Sequence, residues 1–184
     1  MTVALITDQH LDGRKGSLAF WNYFLKFYDD VFFPTLEKKG IKEIIDLGDT
    51  FDNRKTIDFN VWDRIRTHYF DRLADMGVTV HTILGNHCVY YKNTNAINSP
   101  DLLLGDYDNI RVYDEATTVT IEGKRICFVP WINRENEEYT MEHLKQTDAQ
   151  IVMGHLELDG FEVTPGMKMD HGMDPKIYKD FKQV

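Results

Sequence analysis

The chain has 184 residues, of which 42% are hydrophobic, 12% aromatic and 28% charged; that is one globular domain, and it excludes disorder and low complexity. Two cysteines, Cys88 and Cys127, exclude a disulfide framework and point to a reducing compartment, and the one short apolar run near the N-terminus, Val3 to Ile6, is neither a signal peptide nor a membrane span. With 21 Lys and Arg against 30 Asp and Glu the formal charge is -9, which excludes bulk attraction to nucleic acid and leaves only cations held locally, on side chains or as metal ions.

The pattern predicts a buried strand over Val3 to Thr7, opening into the polar loop Asp8-Gln9-His10. From Ser17 to Lys39 apolar residues recur at helical spacing, with Phe20, Phe24, Phe27 and Tyr28 on one side. Ser17 reads as the N-cap, Gly40 as the stop, and Pro34 as a kink or division. A second strand, Glu43 to Leu47, runs into Gly48-Asp49-Thr50-Phe51-Asp52. A second helix over Asp58 to Met76 carries the stripe Trp62, Ile65, Tyr69 and Leu73 and ends at Gly77. Val78 to Leu84 is a third strand, ending in Gly85-Asn86-His87-Cys88. Alternating strands and helices predict parallel strands with helices packed over them, and ligands in such sheets collect beyond the carboxyl ends of the strands.

The second half differs. Ile110 to Val112, Thr117 to Ile121 and Arg125 to Val129 are short strand-like runs, the last two joined by the hairpin signal Glu122-Gly123-Lys124. A helix is expected over Asn136 to Lys145, a strand over Ile151 to Met153 opening into Gly154-His155, and a last helix from Pro175 to about Phe181. Lys182 to Val184 reads as the start of another strand. No internal repeat or linker divides residues 1–184, so a single domain is expected.

Strand ends bearing Asp8 and His10, Asp49 and Asp52, Asn86 and His87, and Gly154-His155 place carboxylates, an amide oxygen and imidazoles at equivalent positions. Each loop alone also fits a turn or a surface histidine. Together they form a mixed oxygen and nitrogen shell that suits manganese, iron or zinc better than magnesium or calcium.

In order and spacing, Asp8-Gln-His10, Gly48-Asp49-Thr-Phe-Asp52, Gly85-Asn86-His87 and Gly154-His155 resemble the signature of the calcineurin-like metallophosphoesterases. Within that family the chain is most similar to the recombination nuclease branch, the SbcD-type and phage endonuclease subunits. Gly154-His-Leu-Glu-Leu-Asp-Gly-Phe161 and Asp170-His-Gly-Met-Asp174 look phage-like. The resemblance implies an α/β fold, a four-layer αββα sandwich of mixed sheets flanked by helices. It implies two divalent metal ions, with manganese favoured: Asp8 and His10 on the first, Asp49 bridging, Asn86 and His155 on the second. His87 would contact the scissile phosphate and help the leaving oxygen. Such a bridge sets two cations about 3.5–4 Å apart and acidifies a shared water. The implied activity is exonuclease and single-strand endonuclease cleavage of DNA for recombination or repair. An SMC-like ATPase partner, a homodimer and a host-cell cytoplasmic location complete that expectation. The Asp58 to Met76 helix and the Asn95 to Leu104 stretch are the candidate subunit interface.

Two departures stand out. Cys88 occupies the position where the family usually has an acid that orients the catalytic histidine, and it reads as a small packing residue rather than a metal-proximal thiol. The family's final Gly-His-X-His motif, which supplies one further ligand to each metal, does not occur in the sequence; His171, in its Asp-His-Gly-Met context, reads as a loop residue. Basic residues follow the motif loops: Arg14 and Lys15, Arg54 and Lys55, and Lys92, with Arg134 beyond the Pro130-Trp131 turn. They read as a DNA-binding rim around an acidic floor, or as scattered solvated charges. Tyr90, Tyr91 and Trp131 suit base stacking or packing equally. Two alternatives remain open, a phosphatase or phosphodiesterase for small substrates, and a catalytically incomplete fragment that docks DNA or dimerises.

Overall fold

A computed structural model describes residues 2–184. Strands β1 (Ala4–Ile6), β2 (Glu43–Asp46), β3 (Thr79–Ile83) and β4 (Ile110–Tyr113) form a four-stranded sheet in the order β1-β2-β3-β4. Every pairing is parallel, with Ala4 opposite Ile44, Ile45 opposite His81, and His81 opposite Arg111. Each connection therefore steps one strand in the same direction. Right-handed crossovers then put the connecting helices on one face and leave the other face to be covered by something else.

The covering layer is a second sheet in the order β5-β6-β7, built from β5 (Thr117–Ile121), β6 (Lys124–Val129) and β7 (Ile151–Gly154). The β5-β6 hairpin turns through Glu122 and Gly123, whose φ values of 50° and 74° match the twist of the flanking strands; β6 and β7 pair in parallel. Side-chain alternation assigns the faces. Ile44 and Val80 pack against the helices, whereas Ile45 and Ile83 pack against Ile126 and Phe128 of the second sheet. Cys127, Val129 and Val152 point the other way, onto Leu144 of the last long helix (Glu137–Gln146). Helices, sheet, sheet, helix: the expected αββα sandwich is what forms. Each fully buried Ile, Leu or Phe at these interfaces contributes about 1.5–3 kcal/mol.

The two long crossovers are helices interrupted by wide turns. Helix α1 (Leu18–Phe27) continues through a π-helical turn (Tyr28–Phe32) into α2 (Phe33–Lys39), capped by Ser17 at one end and by left-handed Gly40 at the other. Helix α3 (Phe59–Ile65), capped by the Asp58 carboxylate, continues through a second π-helical turn (Arg66–Phe70) into α4 (Asp71–Asp75). Pro34 does not divide the first crossover. The residue four before it, Asp30, lies in the π turn, where the hydrogen-bond register has already changed. The expected stripe holds at Tyr28 but not at Phe27, which is 45% exposed; Trp21, Phe32, Phe33 and Leu36 are buried with Tyr28. Helix α5 (Ser99–Leu104) precedes β4, and α6 (Glu137–Gln146) precedes β7. The expected C-terminal helix is only a 3₁₀ turn, Pro175–Tyr178. An exposed hairpin, β8 (Glu162–Thr164) with β9 (Met167–Lys168), was not foreshadowed by any apolar alternation. Gln183 bridges Ile151 in parallel, as a starting strand would.

Candidate metal centre

The loops after β1, β2, β3 and β7 converge. Backbone bonds stitch the first two together: Asp8 N donates to Gly48 O at 3.0 Å, His10 N to Asp49 O at 2.9 Å, and Leu11 N to Thr50 O at 2.9 Å. Asp8, His10 and Asp49 all sit at positive φ (50°, 44° and 52°). Non-glycine residues hold that conformation only where surrounding structure enforces it, typically at functional sites. Two glycines make room for the convergence. A Cβ on Gly85 would lie 2.1 Å from Asp49 Oδ1, and one on Gly48 would lie 2.9 Å from both Gly85 N and His155 Nδ1.

Asp49 is 3% exposed and occupies the centre. Its Oδ1 accepts from His87 N at 2.8 Å. Its Oδ2 lies 3.9 Å from His10 Nε2 on one side and 3.5 Å from His155 Nε2 on the other. Asp8 Oδ1 is also 3.9 Å from His10 Nε2, so Asp8, His10 and Asp49 form a set able to hold a metal ion. On the other side His155 Nδ1 donates to the Leu47 carbonyl at 2.9 Å. In the neutral ring, Nε2 is then a lone pair, and it faces another acceptor, Asn86 Oδ1, at 3.1 Å. With Asp49 Oδ2 3.5 Å from His155 Nε2, these three residues offer a carboxylate, an amide oxygen and an imidazole to one point, a donor set that suits a second divalent ion.

His87 sits beside this centre, half exposed, its ring 5.0 Å from that of His10 in an edge-on arrangement. His87 Nδ1 donates to the Asp52 carbonyl at 3.0 Å and is 3.4 Å from the Asp52 carboxylate. The same carboxylate oxygen is 3.1 Å from His10 Nδ1. That contact lacks hydrogen-bond alignment and leaves His10 Nδ1 a buried atom without a hydrogen-bond partner. Asp52, placed in the shell by its strand-end position but given no role by the family resemblance, is thus the acid beside both histidines; His10, Asp52 and His87 form a second set able to hold a metal ion. Asp12 in turn fixes Asp52, accepting from Asp52 N at 2.6 Å and from Asn53 Nδ2 at 2.7 Å. The signal was present in the sequence: a second acid in the Gly48-to-Asp52 loop, together with a missing one at Cys88. Cys88 itself is buried against Leu84 and Val89, and burial pushes its thiol up to about 11. It is a neutral packing residue.

The candidate DNA-binding cations fall in separate places. Arg14 and Lys15 are exposed on a left-handed turn, with Arg14 5.7 Å from the Phe20 ring centroid. Arg54 lies over Trp131 at 5.9 Å and reaches the Val89 carbonyl, while Lys55 lies over Tyr90 at 5.2 Å. Lys92 lines a groove of about 580 Å³ with Trp131, Arg134, His155 and His171. Tyr91 is exposed and edge-on to Tyr90. His171 is on an exposed loop and pairs with Asp170 at 2.7 Å.

This topology and this cluster of acids and imidazoles define a metal-dependent phosphoesterase, and the model of the calcineurin-like phosphoesterase family matches residues 1–183. The chain belongs to that family. It is 41% identical over 148 residues to exonuclease subunit 1 of Enterobacteria phage T4, an alignment covering 80% of this chain and 43% of the relative. The match therefore spans less than half the length of that protein. An archaeal phosphodiesterase superimposes with TM-score 0.47 at 11% identity (91% of this chain, 81% of the other), and a protein of unknown function from Aquifex aeolicus with 0.48 at 16% (99% and 87%). Among the described residues no helix is long and apolar enough to cross a membrane.

Proposed function

We propose that the chain is the catalytic part of a manganese-dependent DNA nuclease with two metal ions, working as a subunit in phage recombination or repair. The observation that carries this reading is the position of Asp49, one carboxylate oxygen lying between His10 Nε2 and His155 Nε2. Asp8 and His10 would hold one ion, Asn86 and His155 the other, with Asp49 shared. Bound there, the ions would supply Lewis-acid stabilisation of phosphate oxygens and an acidified water. Asp49 is kept in its orientation by the His87 amide. His87 presents the free edge of its ring to the substrate, held through Nδ1 by Asp52, and hydrogen-bonds the leaving oxygen.

DNA is favoured over a small phosphoester because the site opens beside a groove bearing Lys92, Arg134 and Trp131, with Arg54 and Lys55 on the adjoining loop. Cations beside aromatic faces suit a single strand, whose phosphates and bases both need partners. The T4 relative is named as a subunit, which supports a partner, and an SMC-like ATPase is the partner the motif resemblance implies. A homodimer through the α3 region and residues 95–104 is supported by exposed Phe59, Ile97 and Leu102. The test is hydrolysis of single-stranded and plasmid DNA with manganese, beside p-nitrophenyl phosphate, for the native protein and Asp8→Ala. DNA cleavage that disappears in Asp8→Ala supports the proposal. Cleavage confined to the small ester overturns the nuclease reading.

A further inference from the structure

Behind the two metal-binding loops lies a buried polar chain that the chemistry above does not use. The Tyr28 hydroxyl donates to Gln9 Oε1 at 2.8 Å, and Gln9 Nε2 donates to Asp46 Oδ2 at 2.8 Å. The same carboxylate oxygen accepts from Thr50 Oγ1 at 2.8 Å, and Oδ1 accepts from Gly48 N at 3.2 Å. All five residues except Gly48 are at most 3% exposed. The ionised Asp46 carboxylate can only accept, so the amide nitrogen of Gln9 faces it and the carbonyl end is left to accept from Tyr28.

Its placement is the telling feature. Gln9 stands between Asp8 and His10, both at positive φ, while Gly48 and Thr50 flank Asp49, also at positive φ. One buried carboxylate therefore grips the chain neighbours of three residues that face the metal centre. Burial of that carboxylate is unfavourable, raising its pKa to about 7, and an apolar core would avoid the penalty. Tyr28 belongs to the first π turn, and its ring lies 4.7 Å from that of Tyr69 in the second. The network is thus anchored in the most heavily packed aromatic part of the helical layer.

We infer that Gln9 and Asp46, anchored by Tyr28, are positioning residues that hold the Asp8-to-His10 loop and the Asp49 loop in the mutual register needed for metal binding, an inference that rests on the two-metal reading above. Groups that orient metal ligands from behind typically change metal affinity 10- to 100-fold when removed.

The experiment is calorimetric titration of Mn²⁺ into the metal-free protein, with thermal unfolding of each metal-free variant in parallel. Gln9→Met, similar in length without polar ends, and Asp46→Asn are expected to weaken Mn²⁺ binding at least tenfold, and Tyr28→Phe severalfold. Leu73→Ala, a cavity in α4 outside the network, is expected to lower the unfolding midpoint while leaving Mn²⁺ affinity within twofold. Native affinity in Gln9→Met and Tyr28→Phe overturns the inference, as does an equal loss in Leu73→Ala. Should Gln9→Met fail to fold, Tyr28→Phe and Asp46→Asn decide by the same criterion. A native protein that binds no Mn²⁺ overturns the metal reading and this inference together, whereas tight native binding with unaffected variants overturns the inference alone.

Discussion

One carboxylate oxygen of Asp52 lies 3.1 Å from His10 Nδ1 and 3.4 Å from His87 Nδ1. A residue proposed to hold metal and a residue proposed to act on the leaving group therefore share a single acidic neighbour. Asp52 thus approaches both imidazoles although position 88 carries no acid. A carboxylate can orient an imidazole from either side of the loop it belongs to.

Asp52→Asn keeps the backbone carbonyl that accepts from His87 but removes the charge. It is expected to lower kcat on single-stranded DNA roughly 10- to 100-fold with KM changed by less than threefold, in line with other groups that orient active-site side chains. Steady-state kinetics with a labelled oligonucleotide check this.

Cys88 and Cys127 are both buried, and burial pushes each thiol up to about 11. Neither is expected to react with iodoacetamide at pH 8 in the native protein, since the thiolate is the reactive form. Both should react once the chain is unfolded, as mass spectrometry reads directly. Cys88→Ala should retain activity. Cys88→Asp, which would introduce the family's usual acid into a closed apolar site, should destabilise by about 3 kcal/mol or more rather than improve turnover.

Much of this site is legible in the sequence, because its glycines, acids and histidines fall where strands stop. Gly48 and Gly85 carry no Cβ because Asp49 and His155 occupy the space, and that requirement leaves a visible motif. Strands β2 and β6 are equally plain as short apolar runs, whereas the face each residue takes is not, because both faces are buried. What stays hidden depends on distance across the fold. The roles of Asp52 and Gln9 appear only when loops 35 and 37 residues apart are brought together. Tyr28 is buried as the spacing suggests and Phe27 is not, while Phe32 is buried beside Tyr28 and Tyr69 through a tertiary contact without local periodicity. The β8-β9 hairpin is exposed, so no burial pattern marks it.

Gly85→Ala should be the most damaging single-methyl change in the site. The added Cβ would meet Asp49 Oδ1 at 2.1 Å and Asp49 N at 2.5 Å, so the central carboxylate must move. Loss of bound metal, counted by inductively coupled plasma mass spectrometry, is expected, together with a destabilisation of about 1–3 kcal/mol. Gly123→Ala, where the Cβ would meet nothing within 4 Å, should leave the metal count unchanged and carry only the backbone strain of positive φ.

Asp46 has its pKa raised from 3.8 to about 7, chiefly by burial, against hydrogen bonds from Thr50, Gln9 and Gly48 that lower it. The folded state thus binds this proton more tightly than the unfolded chain does. Its contribution to stability is present below pH 4 and is lost as pH rises from about 4 to 7. The upper bound is about 4 kcal/mol, the free energy that separates a carboxyl at 3.8 from one at about 7. Urea unfolding of the metal-free protein at pH 4.5 and pH 8 should show Asp46→Asn gaining on the native chain at the higher pH. A difference independent of pH would contradict this.

Charge reversal at Arg54 and Lys92 should weaken single-strand binding and flatten its salt dependence, each lost phosphate contact removing about 0.7 from the log–log slope. Reversal at Lys38 and Lys39, at the far end of α2, should change neither. Equal losses at both pairs in a salt-titrated binding assay would remove the basis for a local basic rim.

The central claim is that Asp49 is shared by two metal ions. Anomalous diffraction from crystals grown with manganese tests it most directly. The account predicts two peaks, one beside Asp8 and His10, the other beside Asn86 and His155, with the Asp49 carboxylate between them. A single peak in the His10, Asp52 and His87 set, or peaks that leave Asp49 uncoordinated, would contradict it.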